Sequence, residues 1–195
     1  MDEAKTPETS EKAPKKKPVS PYQGAYDWLE SIVSAIVICI LLFLFAFRVV
    51  SVDGTSMVPT LENQDKVLIS RFCTNPKRGD IVVLTKYSFS DESIVKRVIA
   101  TEGQTVEIDF TNGIVYVDGE AQEEPYIAEL THRELDMAGP VTVEKGCIFC
   151  LGDNRNASTD SRSRMIGQID TRCVLGKVLF RVWPLSSIGV IGGNG

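Results

Sequence analysis

A mainly β, antiparallel domain behind a single N-terminal membrane-spanning helix is predicted by three observations. These are one unbroken apolar stretch near the N-terminus, a succession of short β-like runs after residue 50, and Gly-containing turn pairs between those runs. The 195 residues are 43% hydrophobic and 24% charged, enough to bury one core and too apolar for a disordered chain. Lys and Arg number 21 against 26 Asp and Glu, a net charge of -5. That balance argues against nucleic acid as a partner.

The helix rests on Ile32 to Phe47, IVSAIVICILLFLFAF, in which Ser34 is the only polar residue. A bilayer core takes roughly 20 such residues, and a soluble core rarely needs a helix apolar on every face. Tyr26 and Trp28 stand at one end as interfacial aromatics, and Arg48 near the other can reach the headgroups. The sequence RVVSVDG offers no small-x-small cleavage site, so an uncleaved anchor is expected rather than a removed leader. The predicted division is a disordered cytoplasmic tail over 1–27, an anchor over 28–50 and an extracytoplasmic β-rich domain over 51–195. Lys5, Lys12, Lys15, Lys16 and Lys17 precede the span, whereas Arg48 is the only early basic residue after it before Lys66. This asymmetry predicts a single pass through the cell membrane with the N-terminus inside. Pro7, Pro14, Pro18 and Pro21 mark the tail as unstructured, and its KKK run faces water or anionic lipid.

The β expectation rests on KVLIS, DIVVL, SIVKRVIA, TVEIDF, GIVYV, CIFCLG and VLFRVW. Asn112-Gly113 predicts a two-residue hairpin loop, and Asp118-Gly119 marks the next turn. Glu120, Glu123, Glu124 and Glu129 read as a solvated loop, with no calcium-ligand pattern. Of the five cysteines, Cys39 lies in the span, and Cys147 and Cys150 form a C-x-x-C without a second pair. Residues three apart on a strand face opposite ways, so no metal site is predicted; these cysteines, with Cys73 and Cys173, read as small apolar residues or disulfide partners.

Three segments carry candidate chemistry. In VSVDGTSMVPTL, Ser56 sits in a break with Gly54 two residues before it and Pro59 three after, where backbone N–H groups lack strand partners. In SIVKRVIA, strand geometry puts Lys96 on one face with Ile94 and Val98, and burial lowers a lysine's pKa toward a neutral amine able to take a hydroxyl proton. In LGDNRNASTDSRSRMIG, Asp153, Asn154, Arg155, Ser158, Asp160, Ser161 and Arg162 supply the donors and acceptors of a long ordered loop. Asp160 and Arg162 form a candidate supporting ion pair. The single histidine, His132, has no triad context.

In order and spacing, GTSMVPTL, RGDIVVL, KRVIATEGQTVEI, NGIVYVDGE, GDNRNASTDSR and GKVLFRVWPLSSIG resemble the boxes of type I signal peptidases, over nearly all of residues 29 to 189. The resemblance implies a membrane-anchored serine endopeptidase with a mainly antiparallel β fold. It implies Ser56 as nucleophile, Lys96 as general base, Ser158 as the residue that hydrogen-bonds and orients the lysine, and Asp160 with Arg162 as its support. The Ser56 N–H is the implied oxyanion donor. Some members place a serine where Gly54 stands, so the second donor differs here, and ATEG over residues 100–103 replaces a common G-L-P-G-like turn.

The implied partners are signal peptides of exported preproteins, cut after an Ala-x-Ala-like motif, and membrane lipid, near the protein export machinery. No cofactor or metal is expected. Two competitors share features with this reading. A self-cleaving repressor-like Ser/Lys protease needs a helix-turn-helix where the apolar span stands, and a silent tethered peptide-binding module has no need of both Ser56 and Lys96.

Overall fold

The computed structural model describes residues 22–72, 75–85 and 93–191. Residues 1–21 of the tail predicted over 1–27, with its lysines, and Cys73 lie outside the described residues, while residues 23–27 of that tail are helical rather than disordered. After Leu42 the chain divides into two compact units.

The helix α1 covers Gln23–Ala46, 24 residues. At about 1.5 Å per residue it is long enough to cross a bilayer core. Ile36, Leu41, Leu42 and Phe45 along it are all exposed, which removes the alternative of a buried core helix. It differs at both ends from the 28–50 boundary suggested by hydropathy. It starts earlier, and it stops at Ala46 because Phe47–Ser51 pairs as strand β1 with β2, Lys66–Ser70. Val49 and Val50 therefore extend the apolar run without extending the helix, as β-branched residues with a strand partner do.

The strands that follow are β3 (Ile81–Leu84), β4 (Ile94–Thr101), β5 (Thr105–Asp109), β6 (Ile114–Val117), β7 (Glu120–Ala121), β8 (Val141–Thr142), β9 (Cys147–Leu151), β10 (Ile169–Asp170), β11 (Val174–Trp183) and β12 (Gly189–Val190). All pairings are antiparallel. The larger sheet has the order β1-β2-β11-β3-β4-β9-β10, with β12 on β11, and the smaller has β7-β6-β5-β8. The mainly β, antiparallel prediction holds. Each run marked in the sequence is a strand or lies within one, apart from a terminal residue or two.

Turn chemistry follows the sequence at one hairpin and departs from it at another. Asp118 and Gly119 both have positive φ, 52° and 83°, and join β6 to β7 as the expected two-residue turn. Between β5 and β6 the pairing ends at Asp109 opposite Ile114, so the loop has four residues. The Asp109 carboxylate accepts from the N–H groups of Thr111 and Asn112, and this local turn outcompetes the tighter one.

Three apolar clusters position the functional segments. One face of the large sheet packs Val67, Ile69, Ile81, Val83, Val95 and Val178 against Val52, Met57 and Leu61 from the 52–61 segment. The opposite face holds Val82, Leu84, Val98, Ile148 and Cys150 against Ile166 and Ile169. The third cluster lies between the sheets, where Ile99, Ala100, Phe149 and Leu151 meet Val106, Ile108, Val115 and Val117. A register shift between Val98 and Ala100 against β9 sends Val98 to one cluster and its successors to another. Cys147 and Cys150 face different clusters, as strand alternation requires, and Cys39, Cys147, Cys150 and Cys173 are all free thiols.

Leu61, fully buried below the 52–61 segment, tests how far this core holds that segment. Leu61→Ala is expected to cost about 2–5 kcal/mol, read as a lowered denaturation midpoint at unchanged m-value.

Candidate active site

Ser56 lies in a turn-rich stretch between β1 and β2 that is pinned at both ends. The Val52 N–H donates to the Asp65 carbonyl at 2.8 Å and the Gln64 N–H to the Val52 carbonyl at 2.8 Å. Between them, buried Met57 and Leu61 anchor the stretch in the core, and Ser56 is left half-buried. Gly54 adopts φ +88°, a conformation that favours glycine, and its N–H donates to Asn63 Oδ1 at 3.0 Å. Among the described residues the Ser56 N–H donates no backbone hydrogen bond, so it is free for an incoming acceptor.

Lys96 comes from the middle of β4, paired across to Val82 on β3, and is 3% exposed. Val82 and Val98 share its face in one apolar cluster, with Ile94 packed at the margin. Its Nζ lies within hydrogen-bonding distance of Ser56 Oγ at 2.8 Å and donates to the Val95 carbonyl at 3.1 Å. Burial pushes the amine below its ordinary value of 10.5, against an opposing pull that comes first from the Asp160 carboxylate. A hydroxyl within proton-transfer distance of an amine that burial favours in the neutral form has the geometry a nucleophile and its base require.

The 152–162 loop closes over this pair. The Asn154 N–H donates to the Ser56 carbonyl at 3.0 Å, and Asn154 Nδ2 to the Thr55 carbonyl at 3.1 Å. Gly152 touches the same place: a Cβ there would meet Ser158 Oγ and come within 2.5 Å of the Ser56 carbonyl oxygen. Asp160 and Arg162 are joined at 2.8 Å with both side chains fully buried. The Arg162 guanidinium also donates to the Arg133 and Arg155 carbonyls at 2.6 Å each, while the Gly152 N–H donates to Asp160 Oδ2 at 3.1 Å. The expected supporting pair is therefore formed and braces the loop.

Ser158 departs from expectation. It is buried beside Gly152, but its Oγ has no hydrogen-bond partner among the described residues, and Lys96 uses the Val95 carbonyl instead. The side chain fits within reach of the Ser56 backbone without making the bond to lysine that the resemblance implies. His132 is exposed, with Nδ1 3.0 Å from the Phe110 carbonyl oxygen, away from Ser56.

Several contributors were missed or misread in the sequence. Arg97, next to Lys96 but on the opposite face, forms a buried bidentate pair with Asp153 at 2.8 and 2.6 Å. Its guanidinium stacks 3.8 Å from the centre of the Tyr126 ring. The Asp153 carboxylate also accepts from Thr60 at 2.5 Å, linking the loop to the Ser56 stretch. Arg155 is held by both oxygens of Glu124, at 2.6 and 2.7 Å. Glu124 thus leaves the solvated group expected of it, while Glu120, Glu123 and Glu129 stay exposed. An arginine inside an apolar strand was the available signal, since a fully buried guanidinium requires a carboxylate.

A hydroxyl 2.8 Å from a buried amine, beside an unbonded backbone N–H, is the geometry that a serine hydrolase with a lysine base requires. The chain matches the family described as signal peptidase, peptidase S26, over residues 25–183, and it belongs to that family of serine endopeptidases. It is 34% identical over 194 residues to signal peptidase I of Bacillus licheniformis, covering 92% of this chain and 97% of that one. It is also 34% identical to signal peptidase I S of Bacillus subtilis, covering 89% and 97%. A crystal structure of a signal peptidase I from Enterococcus faecalis aligns at 29% identity and a TM-score of 0.45, over 53% of this chain and 96% of that one.

Removing Asp153 leaves the Arg97 guanidinium buried and unpaired. Asp153→Ala is expected to destabilise by about 3–5 kcal/mol, and combining it with Arg97→Met should cost less than Asp153→Ala alone, as a double-mutant cycle of denaturant unfolding would show.

Proposed function

We propose that this chain is a type I signal peptidase: a membrane-anchored endopeptidase that removes signal peptides from exported preproteins after an Ala-x-Ala-like motif. The 2.8 Å approach of Lys96 Nζ to Ser56 Oγ carries the reading. Ser56 Oγ attacks the scissile carbonyl while its proton passes to the neutral Lys96 amine. The tetrahedral oxyanion takes the Ser56 N–H, and Gly54 brings no side-chain donor to assist it. Lys96 then returns the proton to the leaving amine, which departs as the new N-terminus of the mature protein. Water, deprotonated by Lys96, releases the signal peptide from Ser56.

The substrate is held as an added strand. Ile94 and Val95 pair with β3 on one side, while pairing with β9 begins only at Arg97, so the other edge of this stretch carries no strand among the described residues. An extended peptide on that edge brings its scissile bond to Lys96 and Ser56 and shows alternate side chains to the protein, as small-x-small specificity requires. Helix α1 supplies the anchor, with the N-terminus cytoplasmic and the catalytic domain at the outer face near the export machinery. Ser158, Asp160 and Arg162 act as positioning residues: the ion pair braces the loop, and Ser158 limits the space around the dyad.

Cleavage of a radiolabelled preprotein in detergent and lipid checks these roles. Ser56→Ala and Lys96→Met are each expected to lose at least about 10³-fold in kcat/KM while remaining folded. Near-normal turnover by the Lys96 variant would refute the dyad, and binding without cleavage by the unaltered chain would refute the peptidase.

The pH dependence has a defined sign. Activity needs the neutral amine, so kcat/KM should fall tenfold per pH unit as pH drops below the Lys96 pKa. In the unfolded chain the same lysine holds its proton up to about 10.5. The unfolded state therefore binds more protons between the two values, so stability falls as pH drops from about 10.5 toward the native value and levels off below it. Lys96→Met lacks this loss, so its stability relative to the unaltered chain should rise as pH falls from about 10.5 toward the native Lys96 pKa and hold constant below it, as thermal melts would show.

A further inference from the structure

Two guanidinium groups near the end of the apolar helix have no role in the dyad. Arg48 is the second residue of β1, two positions beyond Ala46, and Arg71 directly follows β2, with its backbone N–H donating to the Ala46 carbonyl at 3.0 Å. The register pairs Arg48 with Ile69, so these side chains leave the same face of the sheet, which Val50 also shares. Arg48, Arg71, Val50, Ile69, Ser93 and Leu175 line a cavity of about 330 Å³. Its walls therefore combine two cations and a hydroxyl with an aliphatic floor.

Among the described residues, Arg48 and Arg71 fall with Arg78, Arg133 and Arg164 in the group of arginines without an ion pair, and they differ from those in lining one cavity together. Arg97, Arg155, Arg162, Arg172 and Arg181 each have a carboxylate within 2.8 Å. Among the described residues, neither Arg48 nor Arg71 has an ion pair or a side-chain hydrogen bond. The chain as a whole carries -5, so a diffuse basic field does not account for a free cation pair. The Arg71 guanidinium sits 5.8 Å from the centre of the Phe45 ring, and Phe45 stands 6.4 Å from Phe72. Both rings are exposed, 66% and 64%. Aromatic rings and guanidinium groups at the end of an apolar helix are the composition of a membrane-water boundary, where lipid phosphates lie.

We propose that Arg48 and Arg71 bind the phosphodiester of an anionic membrane lipid, with Val50, Ile69 and Leu175 against its glycerol and first acyl carbons. A phosphodiester takes paired N–H donors from guanidinium groups more readily than from ammonium, and the aliphatic floor distinguishes a lipid from free phosphate. This site rests on the reading of α1 as a membrane anchor.

The test titrates the detergent-solubilised full chain with dihexanoyl phosphatidylglycerol, followed by calorimetry, beside Arg48→Gln, Arg71→Gln and the double variant. Saturable one-to-one binding is expected, weakened about tenfold by each single change and lost in the double variant. Inorganic phosphate at equal concentration should fail to compete. Thermal melts matching the unaltered chain show that the variants fold. Lipid binding by the double variant equal to that of the unaltered chain overturns the site. Equal competition by inorganic phosphate makes it a free-anion site and overturns the lipid assignment. Unchanged lipid binding with a raised KM for preprotein assigns the cations to substrate and overturns it too. Flotation with phosphatidylglycerol vesicles separates the two layers: a chain that does not float refutes the anchor, whereas one that floats with the arginines irrelevant to binding refutes only the site.

Discussion

Keeping an amine dry and beside a hydroxyl is the constraint on which the rest of this structure depends. A lysine on a surface strand stays protonated at neutral pH, whereas burial of Lys96 removes the solvation of its charged form and lowers its pKa. The sheet achieves this by placing Lys96 on an inner strand, opposite Val82 and next but one to Val98. Ser56 belongs to another part of the chain and must be brought to it. Met57 and Leu61, which follow Ser56 in that stretch, enter the opposite core, and Asn154 holds the Thr55 and Ser56 carbonyls from the facing loop. Gly152 is the residue that permits this closeness, since any side chain there would meet both Ser158 and the Ser56 backbone.

The loop that closes over Ser56 and Lys96 is polar, and its burial creates a second problem. Arg97, Arg155 and Arg162 are almost completely buried, and each isolated charge would cost several kcal/mol. Each is matched to a carboxylate: Asp153, Glu124 and Asp160. Spare donors go to backbone carbonyls such as those of Gly79, Gly152 and Arg133. The matching is specific, because a guanidinium donates in fixed directions and a shifted loop would strand several donors at once. Asp153 links the two halves by accepting from Arg97 and Thr60 together, so the loop and the Ser56 stretch share one anchor.

Local patterns carried most of the fold. Alternating β-branched residues located strands such as β3 and β4, and the Asp118-Gly119 pair located a turn, because these signals report backbone preference within a few residues. The helix end was not legible in the same way. Phe47 to Val50 is equally apolar as helix or strand, and its state is decided by pairing with Lys66–Ser70, a distant segment. Lys96 and Ser56 were singled out through their motifs and surroundings, and the fold brings them within 2.8 Å of each other. Arg97 and Glu124 were not, because their roles depend on partners 56 and 31 positions away in sequence. The unbonded Ser158 hydroxyl was also invisible in sequence, since residue type fixes hydrogen-bonding capacity and only packing fixes whether it is used.

The strand that displaced the end of the predicted helix also defines the tether. From Ala46 to Ser56 the chain spans ten residues, at most about 33 Å if fully extended. Half of this is β1, fixed residue by residue against β2, and the Arg71 N–H ties the start of the next loop to the last helical carbonyl. The final helical turn, from Phe43, belongs to the same compact unit as the sheet. Ser56 is thus held at a set distance from the end of α1 by paired backbone rather than by a flexible linker. With that distance fixed, part of the entropy of positioning Ser56 is met before anything binds.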